Sequence, residues 1–147
     1  MFEHCYYTRE SGDDKRSVFR FAPAIAPVKA TVFPLLARPE MRAAAMALAA
    51  TITGAGVSNL VDTTATTIGR RYARTDEIGV PFGVTVDGQT AEDGTATLRE
   101  RDSMAQVRVP TADLPALLRA LVDGKETWAD VSGRFPAQEP PKEEEGK

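Results

Sequence analysis

Two runs of this chain concentrate the side chains that can grip or read a polyanion. In the first, TTIGRRYARTDEIGVPFGVTV (66–86), Arg70, Arg74 and Glu77 recur at i, i+4 and i+7 and share one face of any helix formed there. Arg71 and Thr75 lie beside them, and Ile68 and Tyr72 fall on an adjoining face. Arginine forks suit phosphate or base contacts; the same spacing also suits a solvated face with internal ion pairs. In the second run, TLRERDSMAQVRV (97–109), Arg99 and Arg101 alternate with Leu98 and Glu100, which predicts one shared sheet face. Asp102, Ser103 and Gln106 cluster in or beside the following turn. Such a set can read base edges, because arginine serves guanine acceptors and a carboxylate accepts from the cytosine amino group. The alternative is an exposed sheet face carrying ordinary cross-strand pairs. Phe82 can stack on an unpaired base, although a phenylalanine in an apolar strand is more often core. Tyr72 and Trp128 read as packing residues.

Other chemistries find little to work with. His4 is the single histidine and Cys5 the single cysteine, so a multi-histidine metal site, a cysteine-clustered zinc site and an internal disulfide are all excluded from this sequence. His4 beside Glu3 is weak support for acid–base work. Gly54-Ala55-Gly56 follows a helix instead of a strand and lacks the third glycine of a dinucleotide fingerprint. There is no Walker loop and no catalytic triad, so the pattern supports a binding domain better than an active site.

The elements that must position these runs follow from periodicity and turn chemistry. A strand is predicted over VKATVFPLL (28–36). A helix then starts at Pro39, with Met41, Ala44, Ala45, Leu48 and Ile52 on one side, and stops at Gly54 and Gly56. Strands are predicted over 57–61, 80–87, 96–101 and 105–109, and a helix over 68–78 closed by Gly79. Residues 88–94 read as a polar turn. Leu114, Leu117, Leu118 and Leu121 line a third main helix ending near Gly124, and a short helix anchored by Trp128 spans 127–132. The order implies parallel pairing first and antiparallel pairing later. The fold class is therefore α/β, a mixed five-stranded sheet with three main helices. Residues 1–26, in which Ser17–Phe21 alternates like a strand, read as a lead-in segment, 27–136 as the domain, and 137–147 as a disordered charged tail.

Composition is that of an ordinary globular domain, 42% hydrophobic and 27% charged, and no apolar run approaches the ~20 residues that span a bilayer. The opening lacks the features of a signal or transit peptide, and a cytoplasmic location is expected, with a mitochondrial copy as the alternative. Net charge is −3, so any grip on nucleic acid must come from a small basic surface on an acidic molecule.

The matching words TIGRRYARTDEIGVPFGVTVD (67–87) and TATLRERDSMAQVRV (95–109) resemble the C-terminal anticodon-binding domain of glycyl-tRNA synthetase, of the dimeric type found in eukaryotes and archaea. Weaker likeness lies in FAPAIAPVKATVFPLL (21–36), GVSNLVD (56–62), the leucine helix and TWADVSGRFP (127–136). The resemblance implies the same five-stranded fold and a tRNA partner held by its anticodon. Glycine anticodons share two cytosines, which suits Asp102, Glu77 and Gln106 as base readers. Arg70, Arg74, Arg99 and Arg101 would be phosphate or base partners, with Phe82 and Ser103 beside them.

In the family, a separate catalytic domain uses ATP and magnesium to activate glycine, and the full-length enzyme is a dimer. The opening FEHCYYTRE resembles the stretch just beyond the third signature motif of class II synthetases, while the motifs themselves are missing. The chain is therefore expected to be non-catalytic by itself, with no cofactor of its own, and to be a fragment or a truncated gene product. The alternative is a free-standing relative that binds tRNA or docks on another protein as an accessory or regulatory subunit. A small enzyme with an unrecognised pocket is a third, weaker reading. The isolated chain should bind tRNA weakly, because its net charge is negative and its basic surface small; filter binding across a salt series checks this, and sub-nanomolar affinity at physiological salt would contradict it.

Overall fold

The computed structural model describes residues 6–11, 14–19, 28–36, 38–63, 68–77 and 79–139. Strands β1 (Tyr6–Ser11) and β2 (Asp14–Phe19) pair antiparallel as a two-stranded sheet of their own. Only a strand over Ser17–Phe21 was expected here; YYTRES lacks the apolar alternation that would have marked β1.

The main sheet is built from β3 (Ala30–Pro34), β4 (Asn59–Val61), β5 (Phe82–Val86), β6 (Thr95–Glu100) and β7 (Gln106–Pro110), in the order β4-β3-β5-β6-β7. β3 is parallel to both β4 and β5, and β5, β6 and β7 are successively antiparallel. The mixed five-stranded sheet expected from the sequence is the one found. Helices α1 (Pro39–Gly54) and α2 (Ile68–Glu77) make the two crossovers, and α4 (Leu114–Val122) is the third main helix. α5 (Trp128–Arg134) follows, opened by a reciprocal Thr127–Asp130 capping box.

Residues 88–94 correct the expectation of a plain turn. They form a short helix, α3 (Gly88–Asp93), because Asp87 accepts from the Thr90 amide while the Thr90 hydroxyl accepts from the Asp87 amide. The chain leaves α2 through Gly79 at φ +82°, where Gly79 and Val80 donate to the carbonyls of Asp76 and Thr75. That left-handed residue turns the chain directly into β5.

The two sheet faces differ in chemistry. One face presents Ala30, Val32, Phe82, Val84, Val86, Leu98, Val107 and Val109 to α1 and α4, whose Leu48, Ile52, Leu114, Leu117, Leu118 and Leu121 complete the apolar core. Burying each such aliphatic side chain contributes about 1.5–3 kcal/mol before the entropy of ordering is counted. The opposite face carries Phe33 and Gly83 together with Thr31, Thr85, Thr97, Arg99, Gln106 and Arg108, which are buried despite their polarity. α2 lies across part of it. Phe33 and Tyr72 meet edge to face, with ring centroids 5.4 Å apart, directly over Gly83.

A Cβ at Gly83 would sit 3.2 Å from Phe33 Cε2 and 3.7 Å from Tyr72 Cε1. Gly83→Ala should therefore cost about 1–3 kcal/mol through overpacking beneath α2. Urea denaturation checks this; an unchanged midpoint would mean that α2 does not press on β5 as described.

Candidate nucleic-acid interface

α2 has an inner and an outer side, and the arginines of its RRYAR run divide between them. Arg71 points inward and donates to the carbonyl oxygens of Pro34 and Leu35, pinning the start of α2 to the end of β3. Its guanidinium carbon lies 5.9 Å from the Phe33 ring centroid, and burial lowers its pKa despite the nearby Asp62 charge. Tyr72 also points inward. Its hydroxyl shares a 2.6 Å hydrogen bond with Thr85, and burial raises its pKa. Arg70, Arg74 and Glu77 are exposed on the outer side, as their spacing predicted. Arg74 reaches Asp62, just past β4, at 3.4 Å.

Arg99 was expected to project from an open sheet face, and the structure places it elsewhere. It is buried and makes a two-pronged pair with Asp76 of α2, Nη1 to Oδ1 at 3.0 Å and Nη2 to Oδ2 at 3.2 Å. Its guanidinium carbon also stands 4.6 Å over the Tyr72 ring. α2 covers that sheet face, so the alternation of the strand was legible while its burial was not. Gln106, on the neighbouring strand, is also buried, and its Oε1 has no hydrogen-bond partner. Phe82 lies in the apolar core, as the more ordinary of its two readings had it.

Arg101 does not share the face of Arg99, because it falls beyond the end of β6 in the turn to β7. It is buried, donating from Nη1 to Gly79 O at 3.0 Å, and from Nε and Nη2 to the two carboxylate oxygens of Asp102 at 3.1 and 3.2 Å. The turn carrying Asp102, Ser103 and Met104 is thereby fastened to the loop that ends α2. Met104 takes φ +59°, the one positive value at a non-glycine residue among the described residues. Asp102 and Ser103 remain exposed, and the Ser103 hydroxyl accepts from the Ala105 amide at 3.2 Å.

A second buried clamp steadies the same sheet face. Arg108 of β7 donates to both oxygens of Asp87, at 2.7 and 2.8 Å, and to the hydroxyls of Thr95 and Thr97. Burial alone would raise the Asp87 pKa, but the Arg108 and Thr90 hydrogen bonds and the Arg108 charge outweigh it and hold the carboxyl below its ordinary range.

The structure thus gathers Arg70, Arg74 and Glu77 along one ridge, and brings Asp102 and Ser103 to the end of the helix that carries it. Arg99, Arg101, Gln106 and Phe82 lie behind this surface. Sequence reasoning missed Asp76 as the partner of Arg99 and Asp62 as the partner of Arg74. Asp76 had a signal: it stands four residues after Tyr72 on the inward side, where a carboxylate requires a buried cation. Among the described residues no group of three His, Cys, Asp or Glu side chains could hold a metal ion, and no helix is long and apolar enough to cross a membrane.

The Asp76–Arg99 pair makes a sharp expectation. Arg99→Met should destabilise the fold by about 3–5 kcal/mol, because fully buried Asp76 loses its counter-charge, whereas adding Asp76→Leu should recover most of that loss. Chemical denaturation of the two variants checks this; a single-variant loss below about 0.5 kcal/mol is what an exposed site would give.

Comparison with known proteins agrees with this architecture. The family model described as "Anticodon binding domain" matches residues 24–121. The chain is 46% identical over 137 residues to a glycine–tRNA ligase of Bombyx mori, covering 92% of this chain and 19% of that protein. It is 43% identical over 135 residues to a putative glycine–tRNA ligase of Schizosaccharomyces pombe, and 50% identical over 109 residues to the glycine–tRNA ligase of Methanothermobacter thermautotrophicus. These alignments cover 92% and 74% of this chain, and 21% and 19% of those proteins. The chain spans about a fifth of the length of these curated relatives. Among solved structures, a prolyl-tRNA synthetase of Cryptosporidium parvum, complexed with L-proline and AMP, shares the fold. Its TM-score is 0.65 at 21% identity, over 71% of this chain and 22% of that one. On the family match and on its extended identity to glycine–tRNA ligases, this chain belongs to the anticodon-binding domain family.

Proposed function

We propose that this domain holds the anticodon loop of a glycine-accepting tRNA, as the C-terminal anticodon-recognising part of a glycine–tRNA ligase. The observation that carries the reading is the division of the polar side chains of the two motifs. Arg71, Arg99 and Arg101 are buried and build the surface from behind, while Arg70, Arg74, Glu77, Asp102 and Ser103 are exposed at it. Arg70 and Arg74 would meet phosphates. Glu77 and Asp102 would accept from cytosine amino groups, with Arg101 directly behind Asp102 fixing the angle of its carboxylate. Activation of glycine with ATP and magnesium, and dimerisation, would belong to the remainder of such an enzyme, of which this chain spans about a fifth. Residues 27–136 would form the recognition unit, with 1–26 leading in from the catalytic part and 137–147 as a tail. The setting would be cytoplasmic, with a mitochondrial copy as the alternative; one relative, from Saccharomyces cerevisiae, is named mitochondrial.

Binding of anticodon stem-loops tests this. Arg70→Ala and Arg74→Ala should weaken all stem-loops alike and each reduce the salt slope by about 1. Asp102→Asn should cost about 1–3 kcal/mol on a stem-loop carrying the two cytosines, and much less where uracil replaces them. Equal losses on both loops would reduce Asp102 to a support for the turn, and no preference for the glycine-type loop in the unaltered chain would defeat the proposal.

A further inference from the structure

One residue of the turn between β6 and β7 breaks the backbone habit of the rest of the chain. Met104 adopts φ +59°. At the other left-handed positions among the described residues, Gly56, Gly79, Gly94 and Gly124, the chain uses glycine. A Cβ makes this conformation costly, and where only a turn is needed glycine or asparagine fills it. A bulky apolar side chain held there calls for a compensating use.

The turn leaves Met104 no freedom to relax. Its amide donates to the Glu100 carbonyl at 3.0 Å, and the Glu100 amide donates to the Ala105 carbonyl at 3.0 Å. The Ser103 amide donates to the Glu100 carboxylate at 3.2 Å, and the Ala105 amide to the Ser103 hydroxyl at 3.2 Å. The Arg101 amide donates to Pro81 O at 2.9 Å, beside the guanidinium contact with Gly79 O. Core packing does not supply the compensation. Met104 is part-buried, and neither apolar cluster of the described residues includes it. What the conformation achieves is placement. It holds an apolar, polarisable side chain next to exposed Ser103 and two residues from exposed Asp102, in a fastened loop.

We propose that Met104 is a specificity residue of the anticodon site, its thioether forming the apolar floor on which one unstacked base rests while Asp102 accepts that base's amino group. Proteins that read unpaired bases combine a contact to the edge with a contact to the face. The aromatic candidates for a face contact are withdrawn here: Phe82 is in the core, Tyr72 is buried beneath α2, and residues 101–105 include no aromatic side chain. Methionine can take that part, because its sulfur is polarisable and its unbranched chain adapts to a flat ring. The left-handed backbone fixes where the floor stands relative to the Asp102 carboxylate. This inference rests on the anticodon reading and adds to it the face contact which that reading lacks.

The test uses the full chain and a glycine-type anticodon stem-loop RNA, together with copies that lack one loop base at a time. Met104→Gly relieves the backbone and should raise the thermal midpoint by about 2–6 °C. The same variant should nonetheless bind the stem-loop about two- to tenfold more weakly. Met104→Asn suits the left-handed conformation and keeps the turn defined, so an equal loss of binding there would not reflect a loosened loop. Met104→Leu keeps the apolar surface and should bind within about twofold of the unaltered chain. Removal of one particular loop base should weaken binding to the unaltered chain, and that loss should shrink in Met104→Asn. Full binding by Met104→Gly and Met104→Asn would overturn the inference, as would base-removal losses that are the same in Met104→Asn. A lowered midpoint in Met104→Gly would also overturn it, by making Met104 a packing residue of the fold. In each of these cases stem-loop binding by the unaltered chain leaves the anticodon reading standing. Failure of the unaltered chain to bind any stem-loop would defeat the anticodon reading and this inference with it.

Discussion

The buried contact between Asp76 and Arg99 is the constraint on which the rest of this surface depends. It joins α2 to β6 through two hydrogen bonds between charges that are both withdrawn from water. Its net stabilisation is modest, because desolvation offsets most of the Coulomb attraction. Its geometric effect is larger. With Arg99 over the Tyr72 ring, Phe33 against it edge to face, and its hydroxyl tied to Thr85, α2 is fixed in rotation and height on the sheet. The outward ridge inherits that precision without taking part in it.

Arginine accordingly does two jobs in this domain. Where it is surrounded by protein it serves as a rigid multi-donor bracket: Arg71 on the end of β3, Arg101 on the end of α2, and Arg108 across β6 to Asp87. Where it is exposed, as at Arg70 and Arg74, it carries positive charge to the surface. A lysine could supply the second role but not the first, because the bracketing depends on a planar fork with donors in fixed directions.

Much of the fold was legible in the residues. The apolar runs of β3 and β5, the Pro39 start of α1, the glycine stops and the leucine face of α4 each carried a local signal, and the structure follows them. The candidate site was legible only in part. Period 3.6 identified the outward set Arg70, Arg74 and Glu77 because one helix face is a local property. Period 2 put Arg99 on a sheet face but gave no means of knowing that α2 would fold over it, since that requires a contact between residues 23 apart in sequence. The α3 helix was hidden for a different reason. Its Asp-x-x-Thr box is a helix start, but the six residues GQTAED give no apolar period to confirm it.

The two margins of the main sheet differ in how they are finished. Past α5 the backbone returns to β7, where Arg108 donates to Pro136 O, Gln138 donates to Gln106 O, and Ala137 bridges Val107. The outermost strand on that side is thus roofed by the chain's own later residues, two of which, Ala137 and Gln138, reach beyond the expected domain end at 136. On the other side β4 has only three residues. Neither flank presents the long open row of amides and carbonyls from which strands of separate molecules stack. A molecule finished this way can be concentrated without inviting its own copies to extend its main sheet.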